Sequence, residues 1–225
     1  MSIEAPPENF SARIRKASWA KHQGVADDTP AERGILGALL DGELHLDDYA
    51  AWHAQQYFVY EALDSAVEAL AGDPVLGRFA VPGLSRLPGF DADLRLLVGA
   101  DWRSAVTPLP ATQSYVDRVR AVGRTWPAGL VAHQYTRYLG DMSGGQAFRA
   151  AANDLYGFAD GPGVRFYVFD GLGDLTEWKA GYRRLLDEAP WGPDEQERVI
   201  DEVLAAYDFN GAVLTELAAT MRRSV

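Results

Sequence analysis

Tyr135-Thr136-Arg137-Tyr138-Leu139-Gly140-Asp141-Met142-Ser143-Gly144-Gly145-Gln146 stands inside a segment, Pro127 to about Tyr156, whose apolar residues recur at helical spacing. Three glycines fall within six positions of it. Each costs a helix interior about 0.5–1 kcal/mol relative to alanine, so a helix that carries three has a use for the missing side chains. Gly140 and Gly144 are four apart, which sets them on one helical face and leaves a strip of bare backbone. The strip predicts something flat or bulky pressed against it.

The flanking sequence reads as helices throughout. About Pro7 to Val25 forms a first amphipathic helix with Phe10, Ile14, Ala17 and Val25 toward the core. Thr29-Pro30-Ala31-Glu32 is a helix start signal, with Thr as cap, Pro in the first turn and Glu three after the cap. Asp47 and Asp48 open a long helix carrying Tyr49, Trp52, Tyr60, Leu63, Val67 and Leu70. Glycines and prolines between Gly72 and Pro110 predict short helices and turns. Further helices are expected over about Thr112–Val122, Leu175–Asp187 and Pro193–Met221, the last with Val199, Val203, Tyr207, Leu214 and Leu217. Phe166-Tyr167-Val168-Phe169 has the look of a short strand, without an obvious partner. No repeat or linker divides the chain, so one all-α domain over residues 1–225 is expected, with 1–7 a flexible N-terminal segment.

Composition narrows the function classes. With 48% hydrophobic and 11% aromatic residues, the 225-residue chain is globular. No apolar run approaches the 18 or so residues of a membrane span, and Met1–Pro7 lacks the basic and apolar parts of a secretory signal. A cytoplasmic protein is expected, with no membrane partner. The absence of cysteine excludes disulfides, zinc–thiolate sites and thiolate-ligated haem. The net charge of −11 disfavours nucleic acid. Two basic clusters, Arg13, Arg15, Lys16 and Lys21 early and Lys179, Arg183 and Arg184 late, read as solvated helix faces or as the two sides of a small anion site.

Three occupants compete for the glycine strip. A phosphate loop needs Lys and Ser or Thr after its last glycine, but Gln146 follows Gly145 and no strand precedes the run. A close helix–helix crossing and a planar ligand, for which haem is the natural candidate, both remain. Haem needs an axial ligand, and the chain has four histidines. His45 sits in a polar connection, His53 in a strongly apolar helix and His133 on the glycine-bearing segment. His22 follows Arg15 and Trp19 on the first helix, where an imidazole near a cation suits both iron and a haem carboxylate.

The longer run Ala132-His133-Gln134-Tyr135-Thr136-Arg137-Tyr138-Leu139-Gly140-Asp141-Met142-Ser143-Gly144-Gly145-Gln146 closely resembles the distal-helix signature of the haem oxygenases. The likeness continues in order over about residues 10–222, through Ala121-Val122-Gly123-Arg124-Thr125, Trp178-Lys179-Ala180-Gly181-Tyr182-Arg183, and Val199-Ile200-Asp201-Glu202 with Asn210. The resemblance implies a helical domain that clamps haem between a proximal and a kinked distal helix. It also implies oxidation of haem to biliverdin, carbon monoxide and ferrous iron, with dioxygen and external electrons. Haem is then both prosthetic group and substrate. A soluble donor such as ferredoxin with its reductase is the expected electron source.

Residue by residue, the resemblance makes His22 the proximal iron ligand. It makes Gly140 and Gly144 the bare distal backbone, and Asp141 the carboxylate that organises proton delivery through water. Arg137 joins the distal polar network, Lys179, Arg183 and Tyr135 take the propionates with help from Arg15, and Tyr207 and Asn210 close the pocket. Three departures stand out. The connection through Asp27–Glu32 is longer than the family's, Ala26 stands where many relatives carry a glutamate that orients the imidazole, and Trp19 stands where a basic residue is common. A non-catalytic haem carrier or sensor on the same fold is the alternative, against which the distal carboxylate argues.

Overall fold

The computed structural model describes residues 9–26 and 34–221, and of residues 22–26 only the helical backbone. Every regular element among them is helical. α1 (Phe10–Ala26), α2 (Gly34–Leu40) and α3 (Leu46–Ala69) are followed by α4 (Leu87–Leu97) and a short α5 (Trp102–Ala105). α6 (Pro110–Thr125) and α7 (Pro127–Gln134) lead into α8 (Gly145–Tyr156), and α9 (Leu175–Asp187) and α10 (Pro193–Thr220) complete the chain. The expected N-terminal segment, the Val25 side chain and the start signal Thr29–Glu32 lie outside the described residues.

α3 is the axle of the fold. It packs on α4 and α6, while α10 packs on α1, α6 and α7. Buried residues lie on every side of α3, including Tyr49, Tyr60 and Leu63 at 0% exposure, as expected of a helix enclosed by others. Polar His53, Gln55 and Gln56 are buried in the same helix. Gln55 is matched to backbone, donating to Thr107 O at 3.1 Å and accepting from Leu109 N at 2.9 Å.

α1 is fastened to the end of α9 and to α10. Asp187 accepts from Ser11 N at 2.8 Å and Ser11 Oγ at 2.9 Å, Arg13 donates to Gln196 Oε1 at 2.8 Å, and Lys21 pairs with Asp208 at 2.5 Å. These tethers fix the helix that carries His22.

Two expectations change. The segment from Pro127 to Tyr156 is not one regular helix. Tyr135–Leu139 is a π-helical turn, and a turn over residues 142–144 separates it from α8. Nor is the aromatic run a strand. Arg165–Tyr167 is a 3₁₀ turn whose amides find a buried carboxylate instead of a sheet. Asp93 of α4, at 0% exposure, accepts from Gly163 N at 2.6 Å, Arg165 N at 2.9 Å and Phe166 N at 2.8 Å. His53 Nε2 lies 3.3 Å from the same carboxylate. Gly89 lets the turn seat on α4, because a Cβ there would stand 2.9 Å from the backbone of Arg165 and Phe166.

Candidate active site

The three glycines of the distal run divide by what they face. Gly145 is buried against Tyr167, whose ring would lie 3.2 Å from an added Cβ. Gly140 and Gly144 are exposed, and an added Cβ would meet nothing within 4 Å at Gly140 and only the Gly140 carbonyl, at 3.9 Å, at Gly144. Among the described residues no neighbouring helix packs on the strip, so close helix packing there does not explain these two glycines. Gly140 has φ −60° and ψ −51°, a conformation open to any residue, so the backbone does not require glycine either. The strip is a cradle that a side chain would fill.

Beside it lies a polar network. The Tyr60 hydroxyl donates to Asp141 Oδ2. Arg137 stands with its guanidinium 5.1 Å from the centre of the Tyr60 ring, and donates to Gln56 Oε1 and Asn210 Oδ1. Burial pushes the Asp141 carboxyl up, against the pull of Arg137 and the Tyr60 hydrogen bond, to about 6. The Tyr60 phenol is pushed far above its ordinary value, chiefly by burial and then by Asp141. Tyr60 therefore remains a donor, while Asp141 changes charge near neutrality. Gln146 Nε2 bonds the Asp141 and Tyr167 carbonyls, both at 3.1 Å, and ties the turn to the 3₁₀ segment.

A second cluster faces α1. The buried Tyr135 phenol is raised by burial and by Tyr207, and is acted on in the other direction by Arg183, the Ser18 hydroxyl and Arg15. The Tyr207 phenol is likewise raised by burial, with the Ser18 hydroxyl acting in the other direction. Thus three of the expected carboxylate-binding residues, Arg15, Tyr135 and Arg183, come together with Tyr207, expected to close the pocket. Arg183 Nε is buried without a hydrogen-bond partner among the described residues. Lys179 sits apart from them, donating to Met142 O at 3.3 Å and Ser143 Oγ at 3.1 Å in the distal turn. His22 lies on α1 one turn after Ser18, its side chain outside the described part.

The other histidines have different work. His53 is held by Asp93, His133 Nε2 lies 2.8 Å from the Glu202 carboxylate, and His45 is exposed. Sharing a segment with Gly140 does not bring His133 to the strip, because Glu202 of α10, itself held by Arg118 of α6, engages it.

Residues 8–216 match the sequence profile described as Heme oxygenase. The chain belongs to the haem oxygenase family. "Heme oxygenase 1" of Nostoc sp. is 33% identical over 96% of this chain and 89% of its own length. "Heme oxygenase 1" of Synechocystis sp. is 32% identical over 96% and 88%. The crystal structure of that Synechocystis protein in complex with heme superposes with a TM-score of 0.87, covering 95% of this chain and 94% of the other. The all-α fold is therefore the family's, and the chain is a haem-degrading enzyme of that family.

The residues present fit haem. A haem oxygenase needs a flat seat without side chains, which the Gly140–Gly144 strip offers, and cations for two carboxylates, which Arg15 and Arg183, with its buried and unmet Nε, offer. Sequence reasoning missed three participants: Gln56 and Tyr60 in the distal network, and Ser18 between the two phenols. Tyr60 reads as core, and is core, but its hydroxyl takes a role from Asp141, 81 residues away. The pair Gln55-Gln56 in an otherwise apolar helix was the available signal for Gln56.

Proposed function

We propose that this chain oxidises haem to biliverdin, carbon monoxide and ferrous iron in the cytoplasm, drawing electrons from a soluble donor such as ferredoxin with its reductase. The observation that carries the reading is the bare, unpacked Gly140–Gly144 strip beside the Asp141 carboxylate, which accepts from the Tyr60 hydroxyl. Haem, when bound, supplies the iron at which dioxygen is reduced and the ring that is consumed.

Every other part belongs to the chain. His22 holds the iron from α1. Gly140 and Gly144 keep side chains out of the space over the ring, so that nothing from the protein competes for the iron or blocks an approach to the ring edge. Asp141 holds or releases a proton at its carboxyl oxygen, with Tyr60 donating to Oδ2 and Arg137 stabilising the charged form. Arg15, Arg183, Tyr135 and Tyr207 bind the haem carboxylates and fix the ring's rotation in its plane, while Lys179 braces the distal turn at Met142 and Ser143.

The test is reconstitution with hemin without oxygen, followed by reduction in air with ascorbate or a ferredoxin–reductase pair. Loss of the Soret band with growth of a biliverdin band is the expected result. A stable Soret band would mean a haem carrier and would overturn the proposal.

A further inference from the structure

Arg137 and Asp141 are four residues apart along one helical track, the spacing at which opposite charges pair on a regular helix. They do not pair. No ion pair or hydrogen bond joins them among the described residues, although both side chains border Tyr60. Two features account for this. The π-helical turn Tyr135–Leu139 interrupts the regular helical register between Arg137 and Asp141. The guanidinium is then taken by two neutral oxygens, Gln56 Oε1 from α3 and Asn210 Oδ1 from α10.

Gln56 is 4% exposed and sits one turn before Tyr60 on α3, so one helix face presents both the acceptor for Arg137 and the donor for Asp141. A buried guanidinium that lost an oxygen would seek another, since an unmet charged donor in the interior is costly. The Asp141 carboxylate, whose charge already acts on Arg137, is the charged oxygen in the same cluster.

We propose that Gln56 is a positioning residue of the haem-degrading reaction, whose amide oxygen holds Arg137 out of a direct ion pair with Asp141 and leaves that carboxylate to Tyr60 and to proton exchange. The role in the reaction rests on the function proposed above; the geometry does not. Besides Tyr60 and Arg137, the charged and titratable groups facing Asp141 are Arg86, His53, Tyr115 and Tyr167. Tyr115 and Tyr207 also face Arg137.

The experiment reads the carboxylate directly in haem-free protein carrying 13C-carboxyl aspartate, with the Asp141 signal identified by its loss in Asp141→Asn. In Gln56→Leu the Asp141 midpoint should fall by about one pH unit or more, as Arg137 swings onto it. In Gln56→Glu, which keeps an oxygen for Arg137 and offsets its charge, the midpoint should stay at the wild-type value or rise. A merely structural Gln56 would lower the melting temperature in both variants and leave the midpoint where it was. An unmoved midpoint in Gln56→Leu overturns the proposal. Should that variant not fold, Gln56→Ala takes its place, with the same fall of the midpoint expected and an unmoved midpoint again overturning the proposal. Because no haem is added, this outcome is independent of whether hemin reconstitution yields biliverdin.

Discussion

Gly140→Ala separates the requirements of the fold from those of the ligand. In the haem-free protein the new methyl meets nothing within 4 Å, and the backbone at residue 140 is already α-helical. The substitution therefore removes only the glycine penalty, worth about 0.5–1 kcal/mol. For a chain of this size that raises the melting temperature by roughly 1–4 °C. With haem seated on the strip as proposed, the same methyl would obstruct it, so hemin affinity should fall, and Gly140→Leu should extend the obstruction to a loss of at least about tenfold, or about 1.4 kcal/mol. Gly145→Ala is the contrasting control, since its Cβ would press on the Tyr167 ring at 3.2 Å and should yield no such gain. The assays are thermal melts without haem and hemin titrations followed at the Soret band. A haem-free Gly140→Ala protein that melts below wild type, or a Gly140→Leu protein that binds hemin like wild type, would refute the reasoning.

Asp141 holds its proton more tightly in the native state, at about 6 against 3.8 for the unfolded chain, so its favourable contribution is complete below the lower value and is lost as pH rises through the upper one. The stability of Asp141→Asn relative to wild type should therefore rise from about pH 4 to about pH 6, and a flat difference in urea melts across that window would contradict it. Glu202 has the opposite sign. Burial raises its carboxyl, but the bonds from His133 and Arg118 outweigh burial and hold it near 2, so its contribution is full above 4.5 and lost as pH falls toward 2. Glu202→Gln should cost about 3 kcal/mol at pH 7, with a deficit that shrinks in acid; denaturation at two pH values checks this. His22→Ala should still take up hemin but degrade it only with added imidazole, and unaided turnover would move the iron ligand elsewhere. Lys179→Glu combined with Arg183→Glu should change the biliverdin isomers seen by chromatography, and a single unchanged isomer would remove the orienting role.

Helix positions were legible because burial follows a simple period. Phe10 and Ile14 on α1, Tyr49 to Leu63 on α3, and Val199, Val203 and Leu217 on α10 are buried as their spacing predicts. The glycine strip was legible for a different reason, since three glycines in a segment patterned as helix demand an outside cause. What escaped depended on partners distant in sequence. A π-helical turn and an α-helical one share the same composition, so nothing in Tyr135–Leu139 announces the extra residue per turn. Phe166–Phe169 has strand-forming residues, but the Phe166 amide is claimed by Asp93, 73 residues earlier, and those of Tyr167 and Val168 by the 3₁₀ turn, so tertiary structure overrides propensity there. Gln56 is one polar residue on a buried helix until Arg137 arrives beside it.

The carboxylate of Asp93 has a consequence for how this chain tolerates change. Three amides of the segment 163–166 are moored to one side chain, so the mooring reads backbone and ignores most side-chain identities. Proline at 165 or 166 breaks it, because it deletes an anchor point. The slack would pass through the Tyr167 carbonyl to Gln146, and from there to the backbone of Asp141.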